Sequence, residues 1–178
     1  MDHKIHWHPF ELNPNMLPEG QDICEHLAEK YGTTPEQSAA NRSMMTARGK
    51  ELAFDLNFAD GFRVLNTFNT HKLLHWANEQ SRKNDLKQAL FTAHFTHGRD
   101  LPDDAVLVEI AGEIGLDRVE GQAVLDDQRF ADAVRQEQQF WIQQGINGVP
   151  AVVFDRQHLV TGAQGVDNFK SILAQLKT

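Results

Sequence analysis

Few residues of this 178-residue chain have chemistry to offer: one cysteine, nine histidines, and a Gly148-Val149-Pro150 turn late in the sequence. Thiol exchange needs an attacking thiolate and a second cysteine to resolve the mixed disulfide. Cys24 has no second cysteine in the chain, and it falls inside a helical stretch, so it reads as a structural thiol. His71 and His75 stand four apart, a zinc-ligand spacing, but Lys72 breaks the His-Glu-x-x-His pattern. His6 and His8 share a strand face, and His94 and His97 lie three apart, yet no cysteine cluster or carboxylate pair completes a metal set. No metal and no cofactor is expected. Pro150 cannot donate to a sheet ladder, so it belongs at a strand's first residue or in the turn before it. An X-Pro bond is also where a cis peptide costs least.

The elements around these residues can be read from pattern. Lys4-Ile5-His6-Trp7-His8 alternates in type up to Pro9, which predicts a strand over 5–8 with Trp7 facing away from the two histidines. Phe10 follows that proline, and a core role fits it better than an aromatic wall for a ligand. Turn residues fill 13–20. Asp22 is a helix N-cap and Gly32 a stop. Thr33 and Glu36 have capping-box spacing, starting a helix that runs to about Leu52 with Met44, Met45 and Leu52 on its apolar side. Further helices are expected from Asn66-Thr67 to about Gln80, near 84–97, from Asp103 or Asp104 to Gly115, over 117–125, and over 128–144. Phe130, Val134 and Trp141 should face inward on the last of these. Two strands follow at 151–154 and 158–161, then a helix at 166–176. Trp7, Trp76 and Trp141 read as core or interface residues, and Asp100, Asp103 and Asp104 as a helix start. Asn66 or Thr67 caps the helix that follows, and either could also line a cleft.

A net charge of −8 argues against nucleic acid and anionic membranes as partners, since both select clustered Lys and Arg. No apolar run has the length of a membrane span. The first residues lack the apolar core of a signal peptide, so a cytoplasmic location is expected. One strand, a block of helices, two strands and a helix make an α/β protein with a helical subdomain.

Three stretches resemble one known family. They are Trp7-His8-Pro9-Phe10-Glu11-Leu12-Asn13-Pro14; Asn66-Thr67-Phe68-Asn69-Thr70-His71 with the residues up to Ala77; and Gly145 to Phe154, followed by Gly162-Ala163-Gln164. In this order they are similar to the FrnE-like branch of the DsbA-type thioredoxin-fold proteins, which is related to the 2-hydroxychromene-2-carboxylate isomerases. The resemblance implies a thioredoxin-like unit at 1–20 and 145–178, with a helical insertion at 21–144. It implies that Val149-Pro150 is the cis-proline loop, that the Val149 backbone pairs with an extended peptide, thiol or disulfide, and that Gly148, Asn66, Thr67 and Phe10 adjoin that cleft. It also implies a first strand and a Cys-x-x-Cys helix start upstream of Ile5, which these residues do not contain. Catalytic residues are therefore expected to be missing here, and sheet edges left open by that gap would invite a homodimer.

Three functions stay open on these grounds. One is a DsbA/FrnE-like thiol-disulfide oxidoreductase, inactive as this chain stands. Another is a glutathione-dependent isomerase or transferase, with glutathione as substrate. The third is a redox-dead module that binds peptide or glutathione.

Overall fold

A computed structural model describes residues 4–58 and 61–176; residues 1–3 and 177–178, the ends of the expected thioredoxin-like unit, lie outside them. In chain order the elements are β1 (Gln21–Asp22), α1 (Ile23–Tyr31), α2 (Pro35–Glu51), β2 (Arg63–Val64), α3 (Phe68–Glu79), α4 (Lys83–Phe91), a π-helical turn (Thr92–Thr96), α5 (Asp104–Glu113), α6 (Arg118–Asp127), α7 (Ala131–Gln143), β3 (Ala151–Phe154), β4 (His158–Thr161) and α8 (Val166–Gln175).

Local chemistry explains most of these boundaries. Asp22 accepts from the N–H groups of Cys24 and Glu25, and Gly32 closes α1 in the left-handed conformation. The capping box of α2 is one residue later than expected. Pro35 occupies the first helical position, so the residue before it must cap, and Thr34 and Gln37 exchange the two bonds. Asp103 and Asp117 cap α5 and α6 as Asp22 caps α1, by accepting from N–H groups of the first turn. The helix expected over 84–97 changes to π geometry at Thr92, where His94 and Phe95 both join a ring cluster with Phe62.

The core lies between α3, α4, α5 and α6. Leu73, Leu86, Leu107, Ile110 and Val124 are fully buried there, and Trp76 is nearly so. Val134 carries α7 inward. Lys72 is sealed in as well. Its ammonium donates to Gln128 Oε1 at 2.6 Å, and burial lowers its pKa.

Two expectations fail, and one feature is new. The strand over Ile5–His8 is not formed: residues 4–11 have no regular structure. A strand needs a neighbour to satisfy its backbone, and among the described residues β3 pairs only with β4 and β1 only with β2. Met44, Met45 and Leu52 do not face a core; they are 65%, 47% and 68% exposed. The inward stripe of α2 is Ser38, Arg42, Thr46 and Gly49, small and polar residues at three- and four-residue steps. The antiparallel β1–β2 ribbon was not foreseen, because two residues per strand are too few to show alternation.

The β3–β4 hairpin forms as expected, with Val152 opposite Val160 and Val153 opposite Leu159. Helix α8 packs on it through Phe169 against Phe154, ring centroids 6.2 Å apart.

Leu107→Ala should lower stability by about 3 kcal/mol, because it empties a fully buried site. Gly49→Ala should also destabilise, since a Cβ there would lie 2.6 Å from the Phe54 carbonyl oxygen. Met44→Ala should stay within about 0.5 kcal/mol. Urea unfolding midpoints followed by circular dichroism check all three.

Candidate substrate loop and the strap beside it

The loop at 144–150 is launched by the end of α7. Gln144 caps the helix and Gly145 turns the chain with φ 86°. The Ile146 N–H then returns to the Trp141 carbonyl at 3.1 Å, and Ile146 is buried. The Val149–Pro150 bond is cis. The Pro150 carbonyl accepts from Gly162 N–H at 2.9 Å, so Pro150 stands immediately before the ladder of β3 and β4, the place its missing N–H requires. Val149 is 49% exposed. Its own N–H and C=O make no hydrogen bond among the described residues.

The segment Trp7–Leu12 is a strap laid over α4 and α7. Lys83 Nζ donates to the Trp7 carbonyl at 2.6 Å, and Lys87 Nζ sits 3.6 Å from the Trp7 ring centroid. His8 Nδ1 lies 2.5 Å from Glu137 Oε1, and the His8 ring packs on Trp141 with centroids 4.7 Å apart. The Glu11 N–H donates to Gln138 Oε1 at 2.9 Å, while the Glu11 carboxylate pairs with Arg135. Arg135 in turn stacks on Phe68, 3.8 Å from the ring centroid. Trp141 therefore touches both features: its carbonyl holds the loop, and its ring holds the strap.

Burial sets the electrostatics of this contact. Glu11 is almost fully buried, and desolvation raises its pKa against the opposing pull of Arg135 and Gln138; its Oε1 has no partner among the described residues. At Glu137, burial also acts to raise the pKa, but the hydrogen bond and charge of His8, with Lys83 and His75 behind, outweigh it and hold the carboxyl below its usual range. Burial lowers Lys83 and Lys87.

The other expected site residues lie as follows. Asn66 Oδ1 accepts from Phe68 N–H at 2.9 Å, and its amide donates to the Met16 carbonyl at 3.0 Å. It thus caps α3 and ties the 13–18 loop to it. Thr67 makes no side-chain cap; its carbonyl accepts from His71 N–H at 3.1 Å. Phe10 is half-buried in the strap. No hydrogen bond, ion pair or ring contact among the described residues joins Phe10, Asn66 or Thr67 to residues 148–150. Cys24 is in the first turn of α1, its sulfur 3.1 Å from Arg42 Nη1 and 3.7 Å from Ser38 Oγ. The histidines separate: His75 packs on Phe130 and His94 on Phe62, and no group of three or more metal-ligating side chains forms among the described residues. Sequence reasoning missed Arg135, Glu137, Gln138 and Lys83, because nothing in spacing links residues 83 or 135–138 to residues 7–11.

His71 sits under the strap. Burial pushes its pKa down to about 4, although the Phe10 backbone favours the protonated ring; Lys83 and Arg135 add to the lowering and Glu137 opposes it. The sign follows from proton counts. Between pH 6.5 and about 4 the unfolded chain binds a proton at this histidine and the folded chain does not, so stability falls as pH drops through that window and levels below it. His71→Gln, which cannot titrate but keeps an N–H for Phe10, should flatten this part of the profile. Unfolding midpoints measured from pH 7 to 4 for both proteins provide the check.

Comparison with known proteins agrees with this architecture. Residues 1–174 match the model of the DSBA-like thioredoxin domain. The chain is similar to a probable DsbA oxidoreductase, SCO1869, of Streptomyces coelicolor, with 35% identity and a TM-score of 0.87 over 93% of this chain and 72% of that one. The uncharacterized protein YwbO of Bacillus subtilis (strain 168) is 23% identical over 97% of this chain and 82% of its own. A candidate protein disulfide isomerase of Nitrosomonas europaea shares the fold at 16% identity, with a TM-score of 0.64 over 85% of this chain and 86% of that one. The α/β fold with its helical insert is thus a DsbA-like thioredoxin fold, and the chain belongs to the DSBA-like thioredoxin domain family.

Proposed function

We propose that this chain serves thiol-disulfide exchange by holding an extended protein or small-molecule disulfide along the Val149 backbone. One observation carries the reading. Val149 is exposed, with both backbone hydrogen-bonding groups free, one residue ahead of the strand edge formed by Pro150 and β3. An extended substrate can pair there as an added strand does, with main-chain bonds giving affinity and side chains giving selectivity. In this reading the chain is of the FrnE-like branch, which the three family-like stretches support. Phe10, Asn66, Thr67 and Gly148 then act at the border of the bound substrate, Asn66 chiefly by fixing the start of α3.

The sulfur step sets a requirement. A thiolate attacks one sulfur of the substrate disulfide, the other sulfur leaves as a thiolate, and a second cysteine resolves the mixed disulfide. Cys24 is the one cysteine of the 178 residues, and its sulfur is engaged by Arg42 and Ser38. The reacting pair is thus supplied from outside these residues, and the chain by itself binds without turnover.

Two measurements test this. The 178-residue chain should not accelerate insulin reduction by dithiothreitol; turnover would remove the assignment of the sulfur step to other residues. A disulfide-containing peptide should bind and shift the Val149 amide resonance. Val149→Pro, which deletes that N–H, should weaken binding about tenfold, the size expected for one well-made hydrogen bond, while Val149→Ala should not. Equal binding by both variants would sink the backbone-pairing reading.

A further inference from the structure

We propose that one face of α2 is an interface with a second copy of this chain. Helix α2 runs 17 residues, yet only Ser38 and Gly49 on it are buried. Among the described residues its main helix packing is with α1, and the connector at 54–58 also lies against it, where Thr46 Oγ1 donates to the Leu56 carbonyl at 3.1 Å. The flank beside that inward stripe carries exposed Ala39, Ser43 and Ala47. It borders an open groove of about 480 Å³ whose other wall is Phe58.

Charge selects the occupant. The charged residues lining this groove, Arg42 and Lys50, are both cationic, in a chain of net charge −8. The complementary charge lies on the same helix. Glu36 is exposed, seven residues before Ser43, and Lys50 is seven residues after it. An antiparallel pair with its two-fold axis at Ser43 places Glu36 against the partner's Lys50, and Lys50 against the partner's Glu36. The same axis sets Ala39 against the partner's Ala47. A two-fold interface must be self-complementary in this way. Small residues along the contact let helix axes approach to about 8 Å. Exposed Met44 and Met45 flank the face and can adapt to the opposing surface. This interface is separate from the open sheet edge at β3.

The test uses the full 178-residue protein in analytical ultracentrifugation across a concentration series, with circular dichroism to confirm folding. The expected result is a monomer–dimer equilibrium. Ser43→Arg, at an exposed position, should raise the dissociation constant at least about tenfold, as expected for a charged side chain forced into the centre of a packed contact. Glu36→Lys and Lys50→Glu should each weaken the dimer, and the double exchange should restore it. In a Cys24→Ser background, Ser43→Cys should form a disulfide-linked dimer under mild oxidation, because the axis brings the two positions together. A protein that stays monomeric throughout overturns the proposal. So does a dimer that ignores Ser43→Arg, as one joined through β3 would, and so does a charge exchange without recovery.

Discussion

The site depends on one helix end doing two things at once. Trp141 gives its carbonyl to Ile146 and its ring to His8. Glu137 and Gln138 lie one helical turn earlier and take His8 and the Glu11 backbone. Side chains at such spacing share a face of a helix. Val134, one turn earlier again, anchors α7 in the protein interior. Strap and loop are thus referred to the same rigid object. Residues 4–11 have no ladder and residues 144–150 no regular structure, so α7 fixes the loop and shares the strap with Lys83 and Lys87 of α4.

Charge gathers at this contact. The chain is acidic overall, yet Lys83, Lys87 and Arg135 gather around residues 7–11. Two carboxylates answer them, Glu137 and Glu11. Burial raises the cost of any unpaired charge, so removal of one member exposes the others to a desolvation penalty larger than a surface ion pair is worth. Glu11 is the extreme case: nearly sealed, bonded through one oxygen and orphaned at the other. Its raised pKa is the physical consequence of that arrangement.

The sequence made the helices and the hairpin legible because their signals are local. Asp22, Asp103 and Gly32 mark ends, and the 151–154 and 158–161 strands were read to the residue. Failures came where a partner decides the outcome. Residues 5–8 alternate like a strand, but alternation cannot supply the neighbour that makes a ladder. The apolar residues of α2 looked like a core face, while the helix turned Ser38 and Gly49 inward instead. At the site, the Gly148-Val149-Pro150 turn was legible because proline constrains its own surroundings. The partners of the strap were not, since Glu11 and Gln138 are separated by 127 positions and joined only by the fold.

The loop's position is inherited from the helical side. Helices α3 to α7 hold most of the fully buried residues, whereas α8 buries none and every residue of β3 is only partly covered. Elements with few buried apolar contacts open at lower free energy than the core does. Residues 144–150 sit at the boundary between these two regimes. They are tied to α7 through the Ile146–Trp141 bond and to the hairpin through the Pro150–Gly162 bond. Opening of the hairpin would break the second tie and leave the first. The start of the loop would then still be held on α7, because the Ile146–Trp141 bond belongs to the better-buried half.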